Sequence, residues 1–232
     1  MIEVTPFESL GRLDIDWLSA RYHFSFANYH DPARTGLGPL LVWNDDTIQP
    51  GTGFDPHGHR DMEIITYVRS GAISHRDHLG NEGRTVAGDV QVMSAGTGIR
   101  HAEYNLEDEI TQIFQIWIEP DETRLEPRWA TRRFPKAERA ADLVALASGR
   151  AGDDGALRIH QDAAILGAAL TPGQSVTHPI GEGRRAYLVP ATGRIEVNGV
   201  AAKARDGVAI VGEDKLTITA LEDSDILLVD LP

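Results

Sequence analysis

The chain has 232 residues, 41% of them hydrophobic, which is enough for one large β domain or two small ones with a real core. Lys plus Arg number 22 against 35 Asp plus Glu, a formal net charge of −13; such a surface repels phosphate backbones and anionic bilayers, so neither direct nucleic-acid binding nor membrane binding is expected. There is no cysteine, which excludes disulfides, zinc–thiolate sites and cysteine nucleophiles.

Residues 1–6 carry no basic stretch leading into an apolar run, and nowhere do apolar residues continue for the ~20 positions a membrane helix needs, so a cytoplasmic protein is expected. Through residue 31 the sequence alternates weakly, with Trp17, Phe24 and Phe26 as core or sheet-face candidates. His23 and His30 stand there without ligand spacing and read as structural or surface histidines. Leu40-Leu41-Val42-Trp43 followed by Asn44-Asp45-Asp46 reads as a strand and a turn. A loop at Pro50-Gly51-Thr52-Gly53 then feeds Asp55-Pro56-His57-Gly58-His59. In a strand, residues i and i+2 share a face, so His57 and His59 aim at one interior.

Glu63 follows four residues later, and Ile64-Ile65-Thr66-Tyr67-Val68 is strand-like up to Gly71. His75 and Asp77 share a face, as do Arg76 and His78; the reading is a polar strand or loop with local hydrogen bonds, a second metal site being the other option. Gly88-Asp89 opens a further run, Val90-Gln91-Val92-Met93. A Gly-rich turn, Ala95-Gly96-Thr97-Gly98, leads to Arg100-His101-Ala102-Glu103-Tyr104-Asn105. His101 and Glu103 form a second i,i+2 pair. Two strands brought together would offer three imidazole nitrogens and a carboxylate to a single metal, and such a set suits Zn, Cu, Fe or Ni. Four protein ligands leave positions open on an octahedral ion, and open positions mean chemistry.

Residues 110–118 are a β-branched and aromatic strand. Residues 119–135 hold Pro120, Pro127 and Pro135 with many charges and read as the linker between two domains, because proline removes ladder donors. Beyond it come a short helical turn, a hairpin across Gly152-Asp153-Asp154-Gly155, a hairpin at Asn198-Gly199, and a final strand at Ile226-Leu227-Leu228-Val229. Strand after strand with Gly and Asp turns indicates an all-β sandwich or barrel. The two halves can be laid over each other. One register puts Pro179 opposite His57 and Gly181 opposite His59, with His178 one residue off; another puts Leu216 and Ile218 opposite His101 and Glu103. The second half therefore reads as a domain without a metal site.

Asn81-Glu82-Gly83, Gly88-Asp89-Val90-Gln91, Met93-Ser94-Ala95-Gly96-Thr97-Gly98-Ile99 and His101-Ala102-Glu103, together with His57-Gly58-His59, resemble the pirin family of bicupins, most specifically over residues 42–117. Within that family the chain is most similar to the short bacterial members with quercetinase activity. The resemblance implies two β-barrels side by side, a metal-binding domain over residues 1–125 and a cupin-like domain over residues 126–232. It implies one divalent ion per chain held by His57, His59, His101 and Glu103, with Fe2+ first and Cu2+, Ni2+, Mn2+, Co2+ or Zn2+ open. Glu103, not Glu63, is then the carboxylate ligand; Glu63 reads as a residue behind the ligands or a structural one, paired with Arg60. Family members commonly carry a small hydroxyl residue where His78 stands, and no role is assigned to His78. The implied activity is a quercetin 2,3-dioxygenase-like oxidoreductase taking a flavonol and dioxygen, opening the heterocycle and releasing carbon monoxide, with Glu103 as catalytic proton acceptor. The other implied reading is a non-enzymatic, redox-sensing regulatory pirin acting through protein partners. A monomer is expected, and a sugar-binding or storage cupin is disfavoured by the intact donor set.

Overall fold

The computed structural model describes residues 1–232 and is built almost wholly of strand, with Phe7–Ser9 and Lys136–Arg139 as short 3-10 turns. In chain order the strands are β1 (Ile2–Thr5), β2 (Gly11–Ile15), β3 (Leu18–Tyr22), β4 (Leu40–Ile48), β5 (Gly53–His59), β6 (Glu63–Ser70), β7 (Ala72–Asp77), β8 (Glu82–Val86), β9 (Val90–Ser94), β10 (Ile99–Tyr104), β11 (Thr111–Ile118) and β12 (Arg128–Arg132). They continue as β13 (Val144–Ser148), β14 (Leu157–Arg158), β15 (Ala164–Leu170), β16 (Ser175–Pro179), β17 (Arg185–Thr192), β18 (Arg194–Val197), β19 (Val200–Lys203), β20 (Gly207–Val211), β21 (Lys215–Ala220) and β22 (Ser224–Leu231).

Two compact units form, and they are not the contiguous halves 1–125 and 126–232. One comprises Gly11–Phe134 with Leu157–Gln161; the other comprises Met1–Leu10, Pro135–Ala156 and Asp162–Pro232. The first residues join the later unit because β1 pairs antiparallel with β20, Ile2 opposite Ile210. The supposed linker is corrected as well: β12 pairs with β9, Trp129 opposite Met93. Its prolines did not prevent this. Pro120, Pro127 and Pro135 all lie outside Arg128–Arg132, and β12 is an edge strand with a single neighbour.

The unit of Gly11–Phe134 faces a long sheet, ordered β12-β9-β6-β11-β4-β3-β2, with a four-stranded sheet, β5-β10-β7-β8. Alternation along the strands sorts its interior into layers. On β6, Ile64 packs with Met93, Ala95 and Ile99, while Val68 packs with Ile48, Ile73 and Ile113. Thr66 lies between those two on the same face, and the ladders put Gln91 and Gln115 beside it. A polar middle layer is thus held between two apolar ones.

The later unit repeats the plan. Its long sheet runs β1-β20-β17-β22-β15-β13, and its four-stranded sheet, β16-β21-β18-β19, matches β5-β10-β7-β8 position for position. The Asn198-Gly199 hairpin forms as expected, with φ of 46° and 85° at the two turn residues. The ladder corrects the repeat register by one residue. His101 pairs with His57 in the first unit, and Leu216 pairs with His178 in the second, so His178 and not Pro179 stands in the place of His57. Ile180 then takes the place of His59. Ile180, Leu216 and Ile218 belong to one apolar core, so three of the four donor positions are filled with hydrocarbon.

His178 is tied elsewhere: its Nε2 lies 2.6 Å from Asp230 Oδ2, and Asp230 also meets Arg184 Nε at 2.8 Å and an Arg150 terminal nitrogen at 2.7 Å. Burial would raise the Asp230 carboxyl, but the bonds from His178, Arg150 and Arg184 outweigh it and hold the group well below 3.8. A depressed folded-state value adds stability that is present above the unfolded carboxylate range and lost as pH falls through the folded one. Asp230→Asn is expected to destabilise by about 2–4 kcal/mol at neutral pH, read by urea denaturation, and to lose less at pH 3.

Candidate metal centre

β5 and β10 run antiparallel, with His57 opposite His101 and His59 opposite Ile99, and a bulge follows between His101 and Glu103. The three imidazoles converge. Ring centroids stand 4.8 Å apart for His57 and His59, 4.6 Å for His57 and His101, and 5.0 Å for His59 and His101. One nitrogen from each lies within 4.8 Å of the others. Burial, then the neighbouring His57, pushes His59 down to about 4; His101 is pushed down to about 2 by burial and then by His57, His59 and His75. All of this favours neutral imidazole, the form that ligates.

The tautomers are set from behind. His57 Nδ1 lies 2.7 Å from the carbonyl oxygen of Asp55, which only accepts, so Nδ1 carries the proton and Nε2 is left bare. For His101 the control is two residues deep. Asp77 Oδ2 is 3.0 Å from His75 Nε2, and His75 Nδ1 is 3.4 Å from His101 Nδ1. Burial would raise the Asp77 carboxyl, but bonds from His75, Asn81 and Leu79 hold it below its usual value. An ionised Asp77 can only accept, so His75 carries its proton on Nε2 and accepts from His101 with Nδ1. His101 Nε2 is then bare, buried and without any hydrogen-bond partner. An isolated buried polar atom of this kind costs about 1–3 kcal/mol, which a cation beside it would offset. The donor set therefore fits a divalent ion.

His75 and Asp77, read from sequence as local hydrogen bonders, prove to be the support of His101. Trp129 of β12 stacks on His75 at 4.7 Å and 8°. It can do so because residue 83 is glycine; a Cβ there would sit 2.2 Å from the indole. His75→Phe keeps a ring under Trp129 but removes the acceptor. Metal affinity is expected to fall about 10- to 100-fold, and Asp77→Asn to act in the same direction, as measured by competition with a chelator.

Glu103 is 1% exposed. It accepts from Gln91 Nε2 at 2.5 Å, Gln115 Nε2 at 2.9 Å and Thr66 Oγ1 at 3.3 Å. Those amides are themselves oriented, since Gln91 Oε1 accepts from Thr85 and Gln115 Oε1 from Trp117 Nε1. Burial raises the Glu103 carboxyl to about 7 despite the three bonds. A carboxylate oxygen of Glu103 shares a 4.8 Å cluster with His75 and His101, but not with His57 and His59. Gln91, Gln115 and Thr66 went unnoticed in the sequence; their signal is a polar residue on the buried face of an otherwise apolar strand.

Glu63 pairs otherwise than expected. Its partners are Ser94 Oγ at 2.7 Å and His160 Nδ1 at 3.0 Å rather than Arg60, and it belongs to neither donor cluster. His78 acquires a role, accepting the backbone N–H of Arg100 at 3.1 Å and so holding the start of β10.

A cavity of about 500 Å³ opens at His57 and His59, walled by Trp17, Tyr22, Phe26, Phe54 and Trp117, with Asn44, Asp46 and Gln115 as polar lining. Trp17 meets Phe54 edge-on at 5.2 Å, Phe26 meets Trp117 at 5.4 Å, and Trp117 meets His59 at 4.9 Å. These rings give the cavity an aromatic wall suited to a flat ligand.

Two β units of one plan, with convergent imidazoles in the first and hydrocarbon at three of the four corresponding positions in the second, define a bicupin with one candidate metal centre. The Pirin family matches residues 3–118, and the quercetinase C-terminal cupin domain family matches residues 145–231. The chain is 59% identical over 230 residues to a pirin-like protein of Caulobacter vibrioides, covering 99% of each. It is 42% identical over 233 residues to quercetin 2,3-dioxygenase of Escherichia coli K12, covering 100% of this chain and 99% of the relative. The crystal structure of the bacterial pirin YhhW from E. coli in complex with nickel(II) superposes with a TM-score of 0.94 at 42% identity, covering 100% of this chain and 99% of the other. The chain belongs to the pirin family.

Proposed function

We propose that the first unit is a metal-dependent dioxygenase site for flavonols, with His57, His59, His101 and Glu103 holding one divalent ion. The observation that carries this is the convergence of three imidazoles at an aromatic cavity of about 500 Å³. Iron(II) is the first candidate; the nickel(II) complex of the E. coli relative supports a divalent ion in a related site. When bound, such an ion would acidify a substrate hydroxyl and bring it together with dioxygen.

The chain's own groups do the rest. Trp17, Phe26, Phe54 and Trp117 hold a flat polycycle and exclude water from it. His75 and Asp77 fix the imidazole of His101. Glu103, where its bond to the ion loosens, receives the proton lost by the flavonol hydroxyl. Gln91, Gln115 and Thr66 keep its oxygens in place through that change. The test is reconstitution of the purified protein with single metals, followed by oxygen uptake and carbon monoxide release with quercetin. One dioxygen consumed per flavonol with release of carbon monoxide is expected; metal-loaded protein that consumes no oxygen with any flavonol overturns the reading.

A further inference from the structure

Along β4, Asp46 and Ile48 face the barrel interior, where Ile48 packs with Val68 and Ile113. Asp46 lines the same cavity as His57, His59 and Gln115. It is 2% exposed, and its carboxyl group has no hydrogen bond or ion pair. Its neighbour Asp45 faces the other way and is paired with Arg69. Burial first, then the charges of Asp45 and Glu103, push Asp46 well above the usual carboxylate range against the pull of Arg69. A carboxyl group placed here accepts a hydrogen bond in either protonation state and donates one when it carries a proton. A buried polar group without partners costs about 1–3 kcal/mol, and chains carry such a cost where a ligand supplies the partner. The surrounding wall is aromatic, so that partner sits on a flat, largely apolar molecule.

We propose that Asp46 recognises a hydroxyl group on a planar aromatic ligand in this cavity through a hydrogen bond between its carboxyl group and that hydroxyl. The inference rests on the cavity being a site for aromatic substrates, and it makes Asp46 a specificity-determining residue outside the metal-binding set.

The test uses metal-loaded wild type, Asp46→Leu and Asp46→Asn, with calorimetric binding of matched probes: 2-naphthol against naphthalene, and quercetin against 3-hydroxyflavone. The wild type is expected to prefer the more hydroxylated member of each pair. Asp46→Leu should cut that preference about tenfold. Asp46→Asn, which still donates and accepts, should keep most of it. Metal content should be unchanged, and the melting temperature of Asp46→Leu should rise, because an unpartnered acid has been removed. Preference unchanged in Asp46→Leu, or absent from the wild type, overturns the proposal. So does loss of preference together with a lowered melting temperature, the mark of a structural role. If Asp46→Leu does not fold, Asp46→Ala is read by the same criteria. Quercetin consumption is followed in parallel. An Asp46-dependent naphthol preference without quercetin turnover removes the dioxygenase reading and leaves this one standing; turnover with an Asp46-independent preference does the reverse.

Discussion

His57→Ala combined with His59→Ala is expected to abolish stoichiometric metal binding, while His160→Ala combined with His178→Ala leaves it intact. The first pair supplies two of the three imidazoles whose nitrogens converge within 4.8 Å. His101 and Glu103 would remain, a set too sparse to hold a borderline ion against water. Complete chelation of structural zinc contributes about 10–16 kcal/mol in small domains, so loss of half the donors should weaken binding by at least about 10³-fold. The control pair is engaged elsewhere, His160 with Glu63 and His178 with Asp230. Metal analysis after dialysis reads the outcome directly. Melting supplies a second measure: an ion at a thousandfold excess over its dissociation constant stabilises by about 4.1 kcal/mol, and the double variant should show no such gain on metal addition. One ion per chain retained after loss of both histidines would place the centre elsewhere.

The second large effect separates the two buried glutamates. Glu103→Gln exchanges a charged oxygen donor for an amide whose NH2 must face either the Gln91 or the Gln115 amide, both of which already donate there. Metal affinity should drop and folding stability should fall by about 1–3 kcal/mol. Flavonol turnover should fall further than metal content explains, by about 10²-fold or more per bound ion, because an amide cannot accept the substrate proton. Glu63→Gln acts on a different structure. It weakens the contact to Ser94 and the contact to His160, the second of which fastens Leu157–Gln161 within this unit, and the metal should stay. Both variants, reloaded with the same ion, are compared for metal content and oxygen consumption. Metal lost from Glu63→Gln but kept by Glu103→Gln would reverse the assignment.

The sequence by itself determined what is periodic. His57 with His59, and His101 with Glu103, share faces because a strand repeats every two residues, and that is legible without knowing what the strand pairs with. The all-β class and the Asn198-Gly199 turn were legible for the same local reason. Contacts across strands were not. His75 supports His101 only because β7 is the ladder neighbour of β10, a pairing no local pattern encodes. Gln91 and Gln115 reach Glu103 from the opposite sheet. The prolines of residues 119–135 argued for a linker, yet edge pairing needs donors on one side only, so β12 could form and lay Trp129 over His75. Pairing with β20 likewise carried β1 into the later unit. The one-residue error at His178 came from aligning two halves through a gap, whereas a ladder counts residues by its hydrogen bonds. Alternation fixes which way a side chain points; what it then meets is settled by residues tens of positions away, and only the folded sheets bring those together.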